Sequence, residues 1–550
     1  MRSNFKLRLI HFTSFSVIIF VAYLINFKNL SPTSINWLLY DETAQSYIGW
    51  AFFKQSDFFQ WPIYQNNLDG LSINSSIAYT ASNPLISIIL KYIFSPFREI
   101  DYQFHSIWIL IIFIFQYLIF RKILILFNIS GLALEISSLL IILQPFWLFR
   151  LRLGHIDGMA HFLILAAIYY YLNNSKSVYW FTTILLSAAI HPYLNIMLFL
   201  IYLFWLFESR KEDKVTKIKW LFVTVLSNFL ILKLSGFLQL NSKNASMSGY
   251  GLFKTNLNAL LDSGVDLNDG IIHKYSYIIP DLAQNIGDYE GYSFLGVGIL
   301  VTAIVVTINF RQLKSVKNID ELKRLKYLWL FTLVLFIMSL SNNIDLGKTR
   351  IFTFSNLLFV DMFFNFFRVS ARFSWPFLYI SVILVIIYFN KIQRKKYVLN
   401  LWISLIVITQ FIDVVPLVSE IRHTYQVRSN WKSKLNLPLW DEIIQKNQIK
   451  KIVMVNPVNN PELNIDISKL ALDNDIKVNF GYFARVNQGE IQAQNDRYRS
   501  YLQREFLDKD TIYLLKGQSE IHDYISKSSS KCRSFFRQND YLVVYYSECA

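Results

Sequence analysis

Residues 104–120 read FHSIWILIIFIFQYLIF and residues 373–389 read FSWPFLYISVILVIIYF, and stretches of this kind recur along the chain. They constrain the fold more than any other feature. A backbone in hydrocarbon must satisfy its own hydrogen bonds, which helices do, and a helix needs about 20 apolar residues to cross. Composition agrees: 53% of the 550 residues are hydrophobic and 17% are charged, whereas soluble domains carry roughly 25% charged residues. With so many apolar runs, the first one reads as a retained helix rather than a cleaved signal peptide, and MRSNFKLRL supplies its positive flank.

The net charge of +16 would suit a nucleic-acid partner, but its distribution argues against one. Basic residues gather in short loops: Arg121 and Lys122, ESRKEDKVTKIK at 208–219, RQLKSVKNIDELKRLK at 311–326 and KIQRKK at 391–396. The first long loop sets Lys28 and Lys54 against Asp41, Glu42, Asp57 and Asp69. That asymmetry is the positive-inside pattern of a membrane protein. With a cytoplasmic N-terminus, eleven spans are expected near 8–27, 104–120, 131–149, 158–172, 178–190, 192–207, 219–237, 291–310, 326–341, 373–390 and 397–414. This count puts every basic loop inside.

The expected architecture is an all-α polytopic membrane domain over 1–414, with outward loops at 28–103 and 238–290. The first loop contains NPLISIILKYIFSPF, too short to span and suited to the membrane surface. Residues 415–550 read as a soluble extracytoplasmic α/β domain, because KIVMVNP, IKVNFGYFARV, DTIYLL and YLVVYYS carry strand patterns with helical stretches between. Both cysteines, Cys532 and Cys549, fall there. If QND makes a hairpin turn they approach opposite ends of paired strands, and either a disulfide or two free thiols fit.

Asp41 and Glu42 stand side by side just after the first span, in LLYDETAQSYIGWAFFK, followed by WPIYQNNLDG and the proline-started helix. A polar residue leaving a membrane is ordinary. The order of span, acidic pair, aromatics and interfacial helix nevertheless resembles the start of the GT-C superfamily of membrane glycosyltransferases. RLRLGHIDGMAHF, AAIHPYLN, GYGLFKTNLNALL, DYEGYSFLGVG and FRVSARFSWP, in that order, look like the segments of a bacterial membrane-protein family of unknown function regarded as GT-C-like. The resemblance covers most of residues 35–390 and the tail. It implies a polyprenyl-phosphate-linked sugar as donor, a cell-surface glycan or lipid-linked acceptor, and an inverting transfer at the bacterial cytoplasmic (inner) membrane. It makes Asp41 the catalytic base or a ligand to a divalent metal (Mg or Mn), with Glu42 as alternate.

Transfer from a polyprenyl phosphate needs a base for the acceptor proton and positive charge for the departing phosphate. An ordinary Asp, with a pKa of about 3.9, is a weak base unless burial or a like charge such as Glu42 raises it. Guanidinium groups grip phosphate in a bidentate fork. Two sites offer them at outer boundaries: Arg150 and Arg152 in FRLRLGHID, and Arg368 and Arg372 in FRVSARF. Arg152, Arg368 and Arg372 are the expected phosphate ligands, against a role in headgroup anchoring. His155, Asp157 and His161 lack the i, i+4 spacing of a helical metal pair. Hydrogen bonding to substrate is expected of His155 and Asp157, and also of His191 and Glu290. Gly287, Gly291, Gly296 and Gly298 read as close helix packing. Trp50, Phe53, Trp61 and Tyr64 are candidates to stack on sugar or flank lipid, and FVDMFFNFF (359–367) is a candidate bed for the polyprenyl chain. Competing readings are a transporter or flippase of lipid-linked sugars, a ligase or polymerase of lipid-linked oligosaccharides, and a non-catalytic envelope assembly protein working through its tail.

Overall fold

The computed structural model describes residues 2–70, 76–239, 248–309, 320–355, 358–392, 395–456, 461–503, 507–527, 533–538 and 540–547. The chain divides into two compact units. One comprises residues 1–32, 104–229 and 247–426; the other comprises 33–103, 230–246 and 427–550. The first long loop thus belongs with the C-terminal segment.

The first unit is helical. Among the described residues four helices of the chain are long and apolar enough to cross a membrane: His105–Leu126, Lys214–Leu234, Ser370–Ile392 and Lys396–Arg428. Eleven crossings are not supported, and for several of the expected spans the reason is length. Phe162–Leu172, Ser177–Ile190, Pro192–Glu208 and Val297–Ile308 have 11 to 17 residues. At about 1.5 Å per residue none spans a hydrocarbon layer of roughly 30 Å. The expected span at 131–149 is two pieces, Leu132–Leu139 and Pro145–Leu153. Pro145 lacks an N–H and is preset for a first helical turn, while Gly154, at φ +80°, ends the second piece. The last long helix runs through Pro416 to Arg428, beyond the expected end at 414.

Exposure is consistent with lipid as solvent. Lys214–Leu234 is almost entirely uncovered, with Phe222, Leu226, Phe229 and Leu230 all exposed. The helix Pro84–Ile93, capped by the Asn83 side chain on the Ile86 N–H at 3.3 Å, turns its polar face inward. Ser87 and Lys91 are buried, and Lys91 Nζ donates to Ser56 Oγ at 2.7 Å; Ile89, Ile93, Phe94 and Phe97 are exposed. A helix in water would show the reverse pattern; one lying on a bilayer shows this one.

Two antiparallel hairpins, Gly264–Asp266 with Ile272–Lys274 and Asn343–Leu346 with Thr349–Thr353, interrupt the helices of the first unit. A buried charge knot ties this region down: Lys254 Nζ lies 2.7 Å from Asp288 and 2.8 Å from Asp345, and Asp345 also pairs with Arg350. The knot fixes the short turn Asp288–Gly291, which carries Glu290.

In the second unit the helix Asp41–Gln55 is buried along most of its length. The C-terminal segment forms a five-stranded sheet: β1 (Lys451–Met454), β2 (Lys477–Val478), β3 (Thr511–Lys516), β4 (Arg533–Gln538) and β5 (Tyr541–Tyr546). The order is β2-β1-β3-β5-β4. Strand β1 pairs parallel with β2 and β3, and β5 pairs antiparallel with β3 and β4. Tyr541 of β5 lies opposite Gln538 of β4. Cys532 and Cys549 lie outside the described residues.

Of the glycines expected at close helix packing, Gly296 and Gly298 lie against the helix Lys396–Arg428, whereas Gly287 and Gly291 lie against the non-helical stretch 252–255. A Cβ on Gly291 would lie 2.3 Å from the Lys254 carbonyl oxygen, and one on Gly298 would lie 2.7 Å from that of Ile406. These neighbours are backbone and cannot swing away. Gly291→Ala and Gly298→Val are therefore each expected to cost about 1–3 kcal/mol, read as a lower thermal midpoint of the detergent-purified chain; an unchanged midpoint would contradict the packing described.

Candidate functional site

Each unit carries a polar cluster. In the first, the helix Pro145–Leu153 projects Arg150 into the interior, where its side chain is almost fully covered. Arg150 Nη1 lies 2.5 Å from Glu290 Oε2, and its Nη2 donates to the Glu290 carbonyl oxygen at 2.5 Å. Arg372 reaches the same carboxylate, Nη2 to Oε1 at 2.8 Å and Nε to Oε2 at 3.3 Å. Burial works to raise the Glu290 pKa, but the guanidiniums of Arg372 and Arg150 outweigh it and hold the carboxyl well below the usual carboxylate range.

Aromatic rings cover the guanidiniums. Arg372 lies over Tyr193 at 4.9 Å and Arg150 over Trp375 at 5.3 Å. His155 and His191 flank Gly158, whose missing side chain leaves room between them; a Cβ there would be 3.9 Å from each ring-bearing side chain. Both histidines have a buried Nδ1 without a hydrogen-bond partner, and burial pushes His155 down to about 3. His161 packs on Trp375 at 4.1 Å between ring centres and shares a 2.9 Å hydrogen bond with the Tyr379 hydroxyl. Asp157 is buried in the turn Asp157–Met159.

Arg368 stands four residues before Arg372 in the chain. The neighbouring Val369 N–H donates to Tyr193 Oη at 2.8 Å, and the Arg368 side chain passes Gly249, where a Cβ would meet it at 3.2 Å. Arg368 has no carboxylate partner among the described residues. Two guanidiniums, of Arg150 and Arg372, share the Glu290 carboxylate, so that buried group is net positive. Phe363, Phe364, Phe367 and Phe373 pack edge-on or tilted beside it, with Phe367 5.2 Å from Tyr193.

Sequence spacing placed Arg152 in this group, and the structure does not. Arg150 and Arg152 are two residues apart on a helix and so point roughly 200° apart. Arg152 Nε instead pairs with Glu420 at 2.5 Å, and Glu420 also meets His273 Nδ1 at 3.0 Å. That angular offset was readable from FRLRL and would have singled out one arginine of the pair.

The second unit holds the acidic pair. Asp41 opens its helix with φ +43°, and its half-exposed carboxylate lies 2.8 Å from Arg428 Nη2. Glu42 accepts from the Tyr482 hydroxyl at 2.9 Å. The two carboxylates thus take different partners, and like-charge coupling between them is not the organising contact. Trp50 is fully buried, donates to the Tyr102 carbonyl at 3.3 Å and packs edge-on against that ring. Phe53 is equally buried beneath Lys91. Their faces are occupied, so stacking on a sugar is corrected to a core role. Trp61 is 78% exposed, and Tyr64 lies close against Gly236.

Asp41 also lines a cleft whose walls are the helices Asp41–Gln55 and Pro461–Asp473 together with Asp69, Gly481 and Tyr482. Sequence reading missed Asp69 as a site residue. Its Oδ1 is buried without a hydrogen-bond partner, and burial alone pushes its carboxyl up to about 8. Nothing in NNLDG distinguishes it from a loop aspartate. A metal centre at Asp41 does not fit these residues: Arg428 holds its carboxylate, and among the described residues no three His, Cys, Asp or Glu groups converge.

The chain belongs to the family described as Domain of unknown function (DUF6311), whose model matches residues 15–415. The DUF6311 C-terminal domain model matches residues 439–546. No curated protein and no solved structure matches.

Two predictions follow from the geometry. Glu290→Gln strands two buried guanidiniums and should cost about 3–5 kcal/mol, while Arg368→Ala should stay within about 0.5 kcal/mol; thermal melts of both variants check the contrast. Asp69 keeps its proton in the fold to about pH 8 but releases it near 3.9 when unfolded. Its contribution is present in full below about pH 4 and is lost as pH rises to about 8. The fall in thermal midpoint between pH 5 and pH 8 should therefore be smaller in Asp69→Asn than in the parent chain.

Proposed function

We propose that the chain is an inverting glycosyltransferase that moves a sugar from a polyprenyl-phosphate donor to a hydroxyl of a cell-surface glycan or lipid-linked acceptor. The observation that carries this reading is the net-positive pairing of Arg150 and Arg372 on a single Glu290, with Arg368 four residues before Arg372 and packed phenylalanines beside it. A phosphate on an isoprenoid tail asks for both: guanidinium donors for the oxygens and apolar surface for the chain. Arg368, lacking a carboxylate partner among the described residues, is the group with donors to give. Arg372 and Arg150 supply field, held in place by Glu290.

In the proposed reaction Asp41 accepts the proton of the acceptor hydroxyl. The acceptor oxygen forms a bond to the sugar's anomeric carbon from the face opposite the phosphate, and the anomeric carbon–oxygen bond to phosphate breaks. The released polyprenyl phosphate carries the electron pair, and the arginines stabilise its charge. Arg428, paired with Asp41 at 2.8 Å, positions the carboxylate. The basic loops support a bacterial inner-membrane setting, with the N-terminus in the cytoplasm and the C-terminal segment outside.

Asp41→Asn in the purified chain in lipid nanodiscs, supplied with polyprenyl-phosphate sugars and surface glycan from the host, should lower polyprenyl phosphate release by roughly 10²–10⁴-fold. Arg368→Ala should raise the donor KM about tenfold, the loss of one charged hydrogen bond, without changing the thermal midpoint. Parent-level turnover in Asp41→Asn would sink the transferase reading.

A further inference from the structure

The helix Gln488–Gln503 of the second unit is pinned at both ends. Ile491 packs against Tyr79, Phe483 and Val486, while Tyr498 and Leu502 join the core around Tyr513 and Leu515. Ile491, Tyr498 and Leu502 recur at helical spacing and seat the helix on its neighbours. The adjoining stripe, Glu490, Gln494, Arg497 and Tyr501, is polar. Together with Lys451 and Val453 of β1 and Thr511 of β3 it lines a cleft of about 310 Å³. Lys451 stands opposite Thr511 in the ladder and shares a face of the sheet with Val453. Protein interiors leave few gaps larger than a water, whereas small-molecule sites begin at roughly 300 Å³.

Four charged groups border the cleft, Lys451 and Arg497 against Glu490 and Asp508, so its net charge is zero. Among the described residues no ion pair joins any two of them. Arg497 donates from Nε to the Tyr501 hydroxyl at 3.3 Å and lies over that ring at 5.6 Å, which orients the guanidinium. The Asp508 N–H donates to the Tyr513 hydroxyl at 3.3 Å and fixes that corner. Gln494 is already engaged, accepting from Asn479 Nδ2 at 2.9 Å. The cations and carboxylates are therefore the groups with hydrogen bonds to give.

Hydroxyl groups answer both signs, because each donates one hydrogen bond and accepts two. An uncharged ring bearing several of them can donate to Glu490 and Asp508 and accept from Lys451 and Arg497. Its C–H groups then meet Val453, Ala493 and the half-buried rings of Tyr498 and Tyr501. A polyanion would face two carboxylates with no net positive field to offset them. A metal ion has no site here, since no three His, Cys, Asp or Glu groups converge among the described residues.

We propose that this cleft of the C-terminal segment binds a neutral saccharide of one or two rings. Lys451 and Arg497 donate to its hydroxyl oxygens, and Glu490 and Asp508 accept from its hydroxyls. The binding does not rest on the transferase reading.

The test is saturation-transfer NMR on the full chain in lipid nanodiscs without donor. The probes are glucose, galactose, mannose, rhamnose and N-acetylglucosamine, with glucuronate and inorganic phosphate as anions. At least one neutral sugar should saturate. Arg497→Ala and Glu490→Ala should each weaken it at least fivefold, and Ala493→Trp, which fills the cleft, should abolish it. All three positions are exposed, and an unchanged thermal midpoint shows that each variant folds. No saturation by any neutral sugar, saturation by the anions alone, or parent-level binding in Ala493→Trp each overturns the proposal. With no donor present, none of these results bears on the transferase reading, which the Asp41→Asn assay tests by itself.

Discussion

Glu290 draws together charges from three separate parts of the chain's helical unit. It is a buried carboxylate with two guanidiniums from separate parts of the chain, and each of the three would be intolerable alone in that setting. Replacing such a group by apolar residues is often harmless, whereas removing one member strands the others. The cluster is therefore poor evidence for stability and better evidence for a need for positive charge inside an apolar unit. Its supports point the same way. The Lys254–Asp288–Asp345 knot holds the turn that presents Glu290, and Tyr193 and Trp375 shield the cations from competing water.

The second unit shows another solution to buried charge. Asp69 has no cation to offset its desolvation, so its carboxyl keeps a proton to about pH 8. The neighbouring Asp41 remains half-exposed and takes Arg428. The C-terminal segment is structurally part of this arrangement, because the helix Pro461–Asp473 forms one wall of the cleft.

Some of the fold was legible in the sequence. The long apolar runs at 105–126 and 375–392 read as helices, and the tail segments KIVM, TIYLLK and YLVVYY read as strands, as they are in the structure. The count of crossings was not legible. Hydropathy reports how apolar a segment is, not whether Pro145, Gly154 or a twelve-residue limit cuts it short. Arg372 and Glu290 were recognisable as candidates, since charge at the edge of an apolar run requires a reason. Their pairing with each other was not, because 82 residues separate them.

The sequence by itself determined that the chain is a helical membrane-type protein with an α/β C-terminal segment, because length, apolarity and period act locally. Tertiary structure alone decided which charges meet: Arg150 rather than Arg152 on Glu290, Arg428 on Asp41, and Asp69 left with an oxygen unanswered. Partner choice among like residues depends on direction and burial in three dimensions, and neither quantity is written in one-dimensional spacing beyond a turn or two of helix.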